Sequence, residues 1–257
     1  GSSAGIEMVH QYRDSGGNTA IISAGNNKLF KGTSTLADDT PGSYTVSANN
    51  WKAVNFNDHA FFFQRAHEPL VYTHSVASLE KMSAHAGAAG TPPQGNEVLA
   101  AFGKLFVADF AADKSTIYWS DTLDGTTWTG GATGSIDITN VWPTGYDEIV
   151  ALAAHNGFLI IFGKDSIVIY SGASAPASMT LEDTISNIGC VSRDCVVSTG
   201  KDLIFLDRSG VRSLARTIQE KSSPIGDISK NVNNDLKNLI PSETGNIKMH
   251  YSPNESF

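Results

Sequence analysis

Residues 149–163 read IVALAAHNGFLIIFG, and this stretch decides the fold class. Two β-rich runs flank the pair Asn156-Gly157. The pair suits a two-residue hairpin turn, because both central residues of the favoured turn need a positive φ. The stretch therefore predicts two antiparallel strands joined by a tight turn.

The same unit recurs along the chain. Copies occupy residues 19–34, 51–65, 98–110, 149–163 and 195–208, and a sixth begins with a predicted strand over 247–251 and a turn at 253–254. The other predicted turns are Asn26-Asn27, Asn57-Asp58, Gly103-Lys104 and Lys201-Asp202. Successive turns are 31, 45, 54, 45 and 52 residues apart, a mean of 45.4. Blades of β-propellers repeat at about 40–50 residues, so this spacing favours a propeller.

Third strands are predicted after several copies, at residues 70–74, 116–121, 166–172 and 210–215. The chain is therefore predicted to be all-β: a β-propeller-like array of three- to four-stranded meanders, forming a single domain, or part of one, over residues 1–257. An irregular β-sandwich is the alternative. Long linkers such as 84–94 fit it less well, because sandwich strands usually come with turns every 8–12 residues.

One segment departs from the β pattern and predicts a short helix over 224–240. The residues Ile228, Val232, Leu236 and Leu239 are spaced as one apolar helical stripe. Asp227 is the predicted N-cap, and Pro241 is predicted to end the helix. We expect this helix to pack on a face of the β-sheet array; a partner-binding helix is the alternative.

Charge and apolar patterning exclude several classes of protein. The chain of 257 residues has 18 basic and 26 acidic residues, a formal net charge of −8, which argues against a DNA-gripping surface. The longest strongly apolar run, residues 158–162, is far shorter than the roughly 18 residues of a membrane span. No secretion signal is evident at the N-terminus. Cys190 and Cys195 are predicted to be reduced thiols that serve packing.

The segment from Thr122 to Trp128 resembles the Asp-box hairpin of sialidase-type propellers, with one residue missing between Asp124 and Gly125. In such hairpins the aspartate accepts hydrogen bonds from turn amides and the tryptophan packs between sheets. We therefore expect a structural role, with Asp124 bonded to the turn and Trp128 largely buried.

No arrangement of residues predicts catalysis. Sialidase chemistry needs three arginines from separate blades, but four of the six arginines fall within residues 193–216. The adjacent carboxylate pairs at 38–39, 147–148 and 182–183 are interpreted as solvated loop charges. The seven histidines (His10, His59, His67, His74, His85, His155 and His250) show no metal-binding spacing. The chain is therefore predicted not to be an enzyme, with no catalytic, cofactor-binding or metal-binding residue and no cofactor.

Residues 99–214 resemble the tail nozzle proteins of short-tailed bacteriophages, also called tail tubular protein B. The resemblance depends on the order of four pieces more than on any one of them. These pieces are residues 103–108 with 116–121 and Trp128; 136–138 with 147–152; 157–164 with 166–172; and 188–192 with 202–206 and 209–212.

This resemblance implies a structural protein of the virion tail, made in the host cytoplasm. Such proteins form a ring, usually a hexamer, beneath the tail adaptor. They line the channel through which genome DNA leaves, without binding it specifically, and they contact tail fibres. Family members are much longer than 257 residues, so the chain is expected to be a fragment. No membrane insertion is expected.

Two other classes stay open. A carbohydrate-binding or glycan-degrading propeller is favoured by the segment 122–128, and a generic propeller interaction scaffold is compatible with the repeat. Ring assembly distinguishes the nozzle from the scaffold, and glycan binding or turnover identifies the second class.

Overall fold

The computed structural model of the protein describes residues 5–46, 51–220, 228–243 and 245–252. Five antiparallel sheets account for most of the regular structure, which confirms the all-β prediction. Each sheet is a meander of consecutive strands. The chain divides into two compact units, residues 1–136 and 137–257.

The first unit is built from three four-stranded sheets, the last of which ends at the unit boundary. The first sheet contains β1 (Ile6–Arg13), β2 (Thr19–Gly25), β3 (Lys28–Lys31) and β4 (Ala37–Asp38). The second contains β5 (Lys52–Phe56), β6 (His59–Phe63), β7 (Leu70–Tyr72) and β8 (Leu79–Lys81). The third contains β9 (Glu97–Ala101), β10 (Lys104–Ala108), β11 (Thr116–Trp119) and β12 (Gly134–Asp137).

The second unit contains one four-stranded and one three-stranded sheet. The fourth sheet of the chain contains β13 (Ile149–His155), β14 (Phe158–Gly163), β15 (Ser166–Ser171) and β16 (Thr180–Ser186). The fifth contains β17 (Val196–Ser198), β18 (Leu203–Asp207) and β19 (Gly210–Ser213). Short 3-10 helices lie at Met82–Ala84, Pro176–Ser178, Arg193–Cys195 and Lys230–Val232.

Hairpin turns at Asn, Asp and Gly pairs form as the local turn chemistry favours. Both central residues have positive φ at Asn26-Asn27, Asn57-Asp58 and Asn156-Gly157. The hairpin of β9 and β10 turns at Phe102-Gly103, with φ values of 53° and 72°, and not at the predicted Gly103-Lys104. Lys104 instead begins β10, and its side chain is buried.

The turn Asn26-Asn27 was wrongly predicted to match the turns of the other repeats. Asn26-Asn27 joins the second and third strands of its sheet, whereas the other predicted turns within the described residues join the first and second. The matching turn of the first sheet lies between β1 and β2, around Gly16. Gly16 and Asp58 are 42 positions apart, so the short first spacing of 31 residues came from comparing different turns.

Strand β6 shows how the sheets of the first unit pack. Ala60 and Phe62 belong to a core shared with the first sheet, which includes Tyr12 and Ile22. Phe61 and Phe63 point the opposite way, into a core shared with the third sheet. Side chains alternate along a strand, so the second sheet is buried on both faces.

The second unit has a core of its own between the fourth and fifth sheets. Ile160 and Phe162 of β14 meet Phe205 of β18 there, with the Phe162 and Phe205 ring centroids 5.0 Å apart. Cys190 and Cys195 are buried in the same core, and the described residues contain no disulfide. Cys195 ends a 3-10 helix immediately before β17, so it does not lie in the predicted strand.

Two helices complete the described residues, and none of the described helices is long and apolar enough to span a membrane. The predicted helix 224–240 corresponds to the 3-10 helix Lys230–Val232 and to α2 (Asn233–Glu243). Its predicted N-cap, Asp227, lies outside the described residues. A second helix, α1 (Leu214–Glu220), directly follows β19 and was not predicted.

The apolar stripe and the end of α2 were predicted incorrectly. Ile228, Val232 and Leu239 are each about half exposed, whereas the unpredicted Ile240 is 6% exposed. Leu236 alone of the stripe packs against the core of the second unit. Pro241 lies inside α2: its fixed φ is compatible with a helix, but the helix loses one backbone hydrogen bond there.

The predicted strand over 247–251 does not form. These residues have no regular secondary structure, although Ile247 and Met249 pack against the core of the second unit. The Met249 amide donates to the Asp194 carbonyl over 2.8 Å, and the Cys195 thiol donates to the Ile247 carbonyl over 3.4 Å. Contact with the core thus holds the segment without a ladder of strand hydrogen bonds. The predicted turn at 253–254 lies outside the described residues.

Candidate functional site

The first unit contains a cleft of about 720 Å³ beside the third sheet, which we call the aromatic cleft. Four aromatic rings and two prolines line it, with polar groups between them. The lining residues are Gly90, Thr91, Pro92, Pro93, Gln94, Phe110, Ala112, Asp113, Tyr118, Trp119, Trp128, Thr129, Thr133, Gly134 and Ser135. Concave sites that combine aromatic walls with a few polar groups are the usual form of small-ligand sites.

Strand β11 supplies two rings of the cleft. Tyr118 is 40% exposed and meets Phe110 edge to face, with ring centroids 5.2 Å apart and planes at 80°. Trp119 is buried, and its indole Nε1 donates to the Ala132 carbonyl over 3.0 Å. Gly134 permits this placement, because a Cβ there would lie 2.6 Å from the Trp119 ring.

The segment from Thr122 to Trp128 supplies a third ring. The Asp124 carboxylate accepts from the Thr126 amide over 2.8 Å and from the Thr126 hydroxyl over 2.7 Å, which confirms the predicted turn contact. Partial burial raises the pKa of Asp124, but hydrogen bonds from Thr126 and Thr127 outweigh it and lower the pKa overall. Trp128 is largely but not fully buried, in line with the prediction: it packs against the core shared by the second and third sheets, and it also lines the cleft.

Hydrogen bonds to two backbone carbonyls fix Trp128 at the cleft. The Trp128 amide donates to the Ala89 carbonyl over 2.8 Å, and its indole Nε1 donates to the Gly125 carbonyl over 3.1 Å. Gly90 has a φ of +79°, and a Cβ there would lie 2.9 Å from the Trp128 carbonyl carbon. Only glycine fits this close approach without strain.

A buried lysine anchors the loop that carries Trp128. The Lys104 ammonium donates to the Thr122 hydroxyl over 2.9 Å and to the carbonyls of Ser120 and Ala132 over 3.3 and 3.2 Å. Burial lowers the pKa of Lys104, and the charge of Asp121 opposes that effect. The Asp121 carboxylate in turn accepts from the amides of Ala132 and Thr122, which lower its pKa.

The described residues that line the aromatic cleft include one carboxylate, Asp113. Its Oδ1 accepts from the amides of Ser115 and Thr116 over 3.0 and 3.1 Å. Asp124 is absent from the lining, because its carboxylate turns toward Thr126. The arrangement offers stacking surfaces and hydrogen-bonding groups. No pattern in the sequence predicts it, because the rings come from separate segments.

The structure pairs several arginines with carboxylates. Arg65 contacts Asp109, Arg193 contacts Asp194, Arg208 contacts Asp165 and Arg212 contacts Asp207. Asp147, predicted to be a solvated loop charge, is 5% exposed and accepts from the amides of Lys164 and Asp165, each over 2.9 Å. That prediction was wrong because the carboxylate caps the turn between β14 and β15.

No group of three or more His, Cys, Asp or Glu side chains in the described ranges is placed to hold a metal ion. Two histidines that are distant in sequence do meet: the Nε2 atoms of His59 and His85 are 3.2 Å apart. The spacing of the histidines in the sequence did not predict this pair.

A smaller cleft of about 330 Å³ lies in the second unit. It is lined by Lys164, Cys190, Val191, Arg208, Lys237, Ile240 and Pro241. Two of its cations are engaged by carboxylates: Lys164 by Glu148 over 2.7 Å and Arg208 by Asp165 over 2.9 Å. These ion pairs reduce the positive charge that the cleft presents.

No protein-family model and no curated protein matches the chain. Among solved structures, it is similar to the extracellular domains of two hybrid two-component systems from B. thetaiotaomicron. For BT3049 the identity is 14% and the TM-score 0.48, covering 81% of this chain and 28% of that one. For BT4673 the values are 11% and 0.41, covering 83% and 32%.

A third similar structure is PorZ, a bacterial surface component of the type-IX secretion system of Porphyromonas gingivalis. The identity is 11% and the TM-score 0.45, covering 81% of this chain and 27% of that one. The chain thus spans less than a third of each of these three structures. None of the three is named as a phage tail protein, and at these scores the similarities assign no function to the chain.

Proposed function

We propose that this chain is a structural subunit of a short phage tail, a nozzle protein that forms a ring around the DNA exit channel. The proposal depends on one observation: the residues that resemble tail nozzle proteins lie on strands of successive sheets. Residues 103–108, 157–164 and 202–206 fall on β10, on β14 with its turn, and on β18, within successive meanders. These are positions of a scaffold, as a structural role requires.

We further propose that the meanders are blades of a β-propeller-like array. Within the first unit, the second sheet packs face to face against the first and the third through two separate cores. Within the second unit, the fourth and fifth sheets pack in the same way. Face-to-face stacking of meanders is how propeller blades bury both of their faces.

The charge of the chain is compatible with a channel wall. A net charge of −8 gives little counterion release on DNA, so DNA would slide past and would not be held. The proposed partners are further copies of the chain in a ring, the tail adaptor and the tail fibres.

Ring assembly and location in the particle test the nozzle proposal. We expect the full-length polypeptide that contains these residues to form closed rings by native mass spectrometry and electron microscopy. We also expect an antibody to residues 1–257 to label the tail end of purified phage particles. A polypeptide that stays monomeric and is absent from the particles by mass spectrometry would refute the proposal.

A second candidate function, carbohydrate binding, is favoured by the aromatic cleft. Sugar rings have apolar C–H faces that stack on aromatic rings and hydroxyl edges that bond to polar groups. Tyr118 and Trp128 offer the rings, and Gln94, Asp113 and Thr129 offer polar groups. Glycoside hydrolysis generally uses two carboxylates, and the described lining has one, so we propose binding without cleavage.

A glycan-binding measurement separates the two candidates. Tyr118→Ala should remove binding to any glycan that the chain retains on an array, because Tyr118 is the exposed ring of the cleft. Tyr146→Ala is the matched control, since Tyr146 is 64% exposed and does not line the cleft. Absence of retained glycans, or equal loss in both variants, would count against a sugar site.

A further inference from the structure

A histidine of the second sheet and one from the connection after it meet through their ring nitrogens. His59 begins β6, and His85 follows the 3-10 helix Met82–Ala84. Their Nε2 atoms are 3.2 Å apart, and the ring centroids are 5.1 Å apart with planes at 79°. Both side chains are partly buried, and the His59 ring also stacks on Phe61 with centroids 5.7 Å apart.

The other nitrogen of each ring faces an acceptor. His59 Nδ1 lies 2.6 Å from the Asn57 carbonyl oxygen, which can only accept a hydrogen bond. His85 Nδ1 lies 2.5 Å from the Glu80 carboxylate, which also accepts. Both Nδ1 atoms therefore donate, and a ring that carries only that proton has a lone pair on Nε2.

In this placement, the Nε2 lone pairs of two neutral rings would face each other. Two acceptor nitrogens at 3.2 Å repel, unless a positively charged species lies between them. A metal ion can supply that charge. With metal–nitrogen bonds of about 2.0–2.1 Å and a tetrahedral angle, two imidazole nitrogens on one zinc ion lie about 3.3 Å apart.

We propose that His59 and His85 are the two protein ligands of a divalent transition-metal site, each binding through Nε2. Zn²⁺ and Cu²⁺ are among the cations that suit imidazole ligands, and water would complete the coordination. Glu80 would act as the carboxylate that orients a metal-binding histidine through its other nitrogen. The Asn57 carbonyl would do the same for His59.

The site would join two strands that are not neighbours in the sheet. His59 begins β6, and Glu80 belongs to β8, with β7 between them. A metal ion would therefore tie the connection after β8 to the hairpin of β5 and β6. With two protein ligands, we expect the site to bind metal reversibly.

Metal titration of the full chain, after removal of bound metal with a chelator, tests the proposal. We expect one equivalent of Zn²⁺ or Cu²⁺ to bind by calorimetry, and the Cu²⁺ electron paramagnetic resonance spectrum to show two nitrogen ligands. Glu80→Gln should weaken binding about 10- to 100-fold, and His59→Gln and His85→Gln should each weaken it at least as much. His155→Gln, which alters a histidine of the second unit, should leave binding unchanged.

The spectrum of the wild-type chain keeps the test decisive if a variant fails to fold. Absence of saturable binding, or binding that His59→Gln and His85→Gln do not weaken, would overturn the proposal. So would a spectrum without two nitrogen ligands. A nitrogen NMR spectrum that shows a single extra proton shared by His59 and His85, with no metal uptake, would also overturn the proposal. That proton would then explain why the two rings lie so close.

Discussion

Asp124 carries the turn that places Trp128 at the aromatic cleft. Asp124→Ala removes acceptors for the Thr126 amide and hydroxyl, so we expect the free energy of unfolding to fall by about 0.5–2 kcal/mol. Chemical denaturation measures the change. Asp137→Ala is a matched control, because Asp137 accepts from the amide and hydroxyl of Thr139 in an exposed turn, where the loss should be smaller. An unchanged stability for Asp124→Ala would contradict the structural role.

Cys195 gives the stability a dependence on alkaline pH. Burial, followed by the charge of Asp194, raises the pKa of its thiol from an ordinary value near 9 to about 12. The folded state thus keeps the thiol neutral where the unfolded state ionises. The neutral thiol makes its full contribution to the free energy of unfolding below pH 9. That contribution falls by up to about 1.4 kcal/mol per pH unit between pH 9 and about 12.

Comparison with Cys195→Ala isolates this effect from tyrosine and lysine titration. We expect the unfolding free energy of the wild-type chain to fall more steeply above pH 9 than that of the variant. Parallel curves for the two proteins would show that the Cys195 thiol ionises equally in both states.

The residues of the cleft could be predicted only where their chemistry is local. The contact between Asp124 and Thr126 spans two positions, so the sequence segment itself specifies it. Phe110, Tyr118 and Trp128 line one cleft because a strand and two connections bring them to it, and no sequence spacing encodes that convergence. The contact of His59 with His85 spans 26 positions and is hidden for the same reason.

At the scale of the element, hairpin turns depend on backbone conformation. Asn156 has a φ of 49°, a left-handed conformation that a β-branched residue adopts with difficulty. Asn156→Val should lower the unfolding free energy by about 1–2 kcal/mol. Asn156→Gly should change it much less, because glycine adopts this conformation readily. Thermal or chemical denaturation of both variants checks this, and equal losses would show that side-chain contacts dominate.

The strands next to such turns were predictable and the helices were less so. Asn57-Asp58 and Asn156-Gly157 fix both the turn and the pairing of the flanking strands. The prediction of which α2 residues are buried was wrong for a physical reason. An apolar period in the sequence predicts that a helix has an apolar side, but the packing of the helix on its neighbours decides which residues are covered. Ile240 is buried, while Val232 and Leu239 face solvent.

At the scale of the whole molecule, net charge governs the encounter with DNA. With a formal charge of −8, we expect no retention of linear duplex DNA by the chain in a gel-shift measurement at 150 mM salt, and little at 50 mM. The surface lacks the excess of lysine and arginine that counterion release needs. Binding that weakens steeply as salt rises would show a concentrated basic surface and would argue against sliding passage.

Strand β6 limits how this protein can change length during evolution. Its alternate side chains serve two different cores, so one inserted or deleted residue inside it would send Phe62 toward the core of Phe61 and the reverse. Such a change would damage both cores at once, whereas exposed connections between strands can lengthen at little cost. Related chains should therefore differ in the lengths of their connections and keep the length of this strand constant.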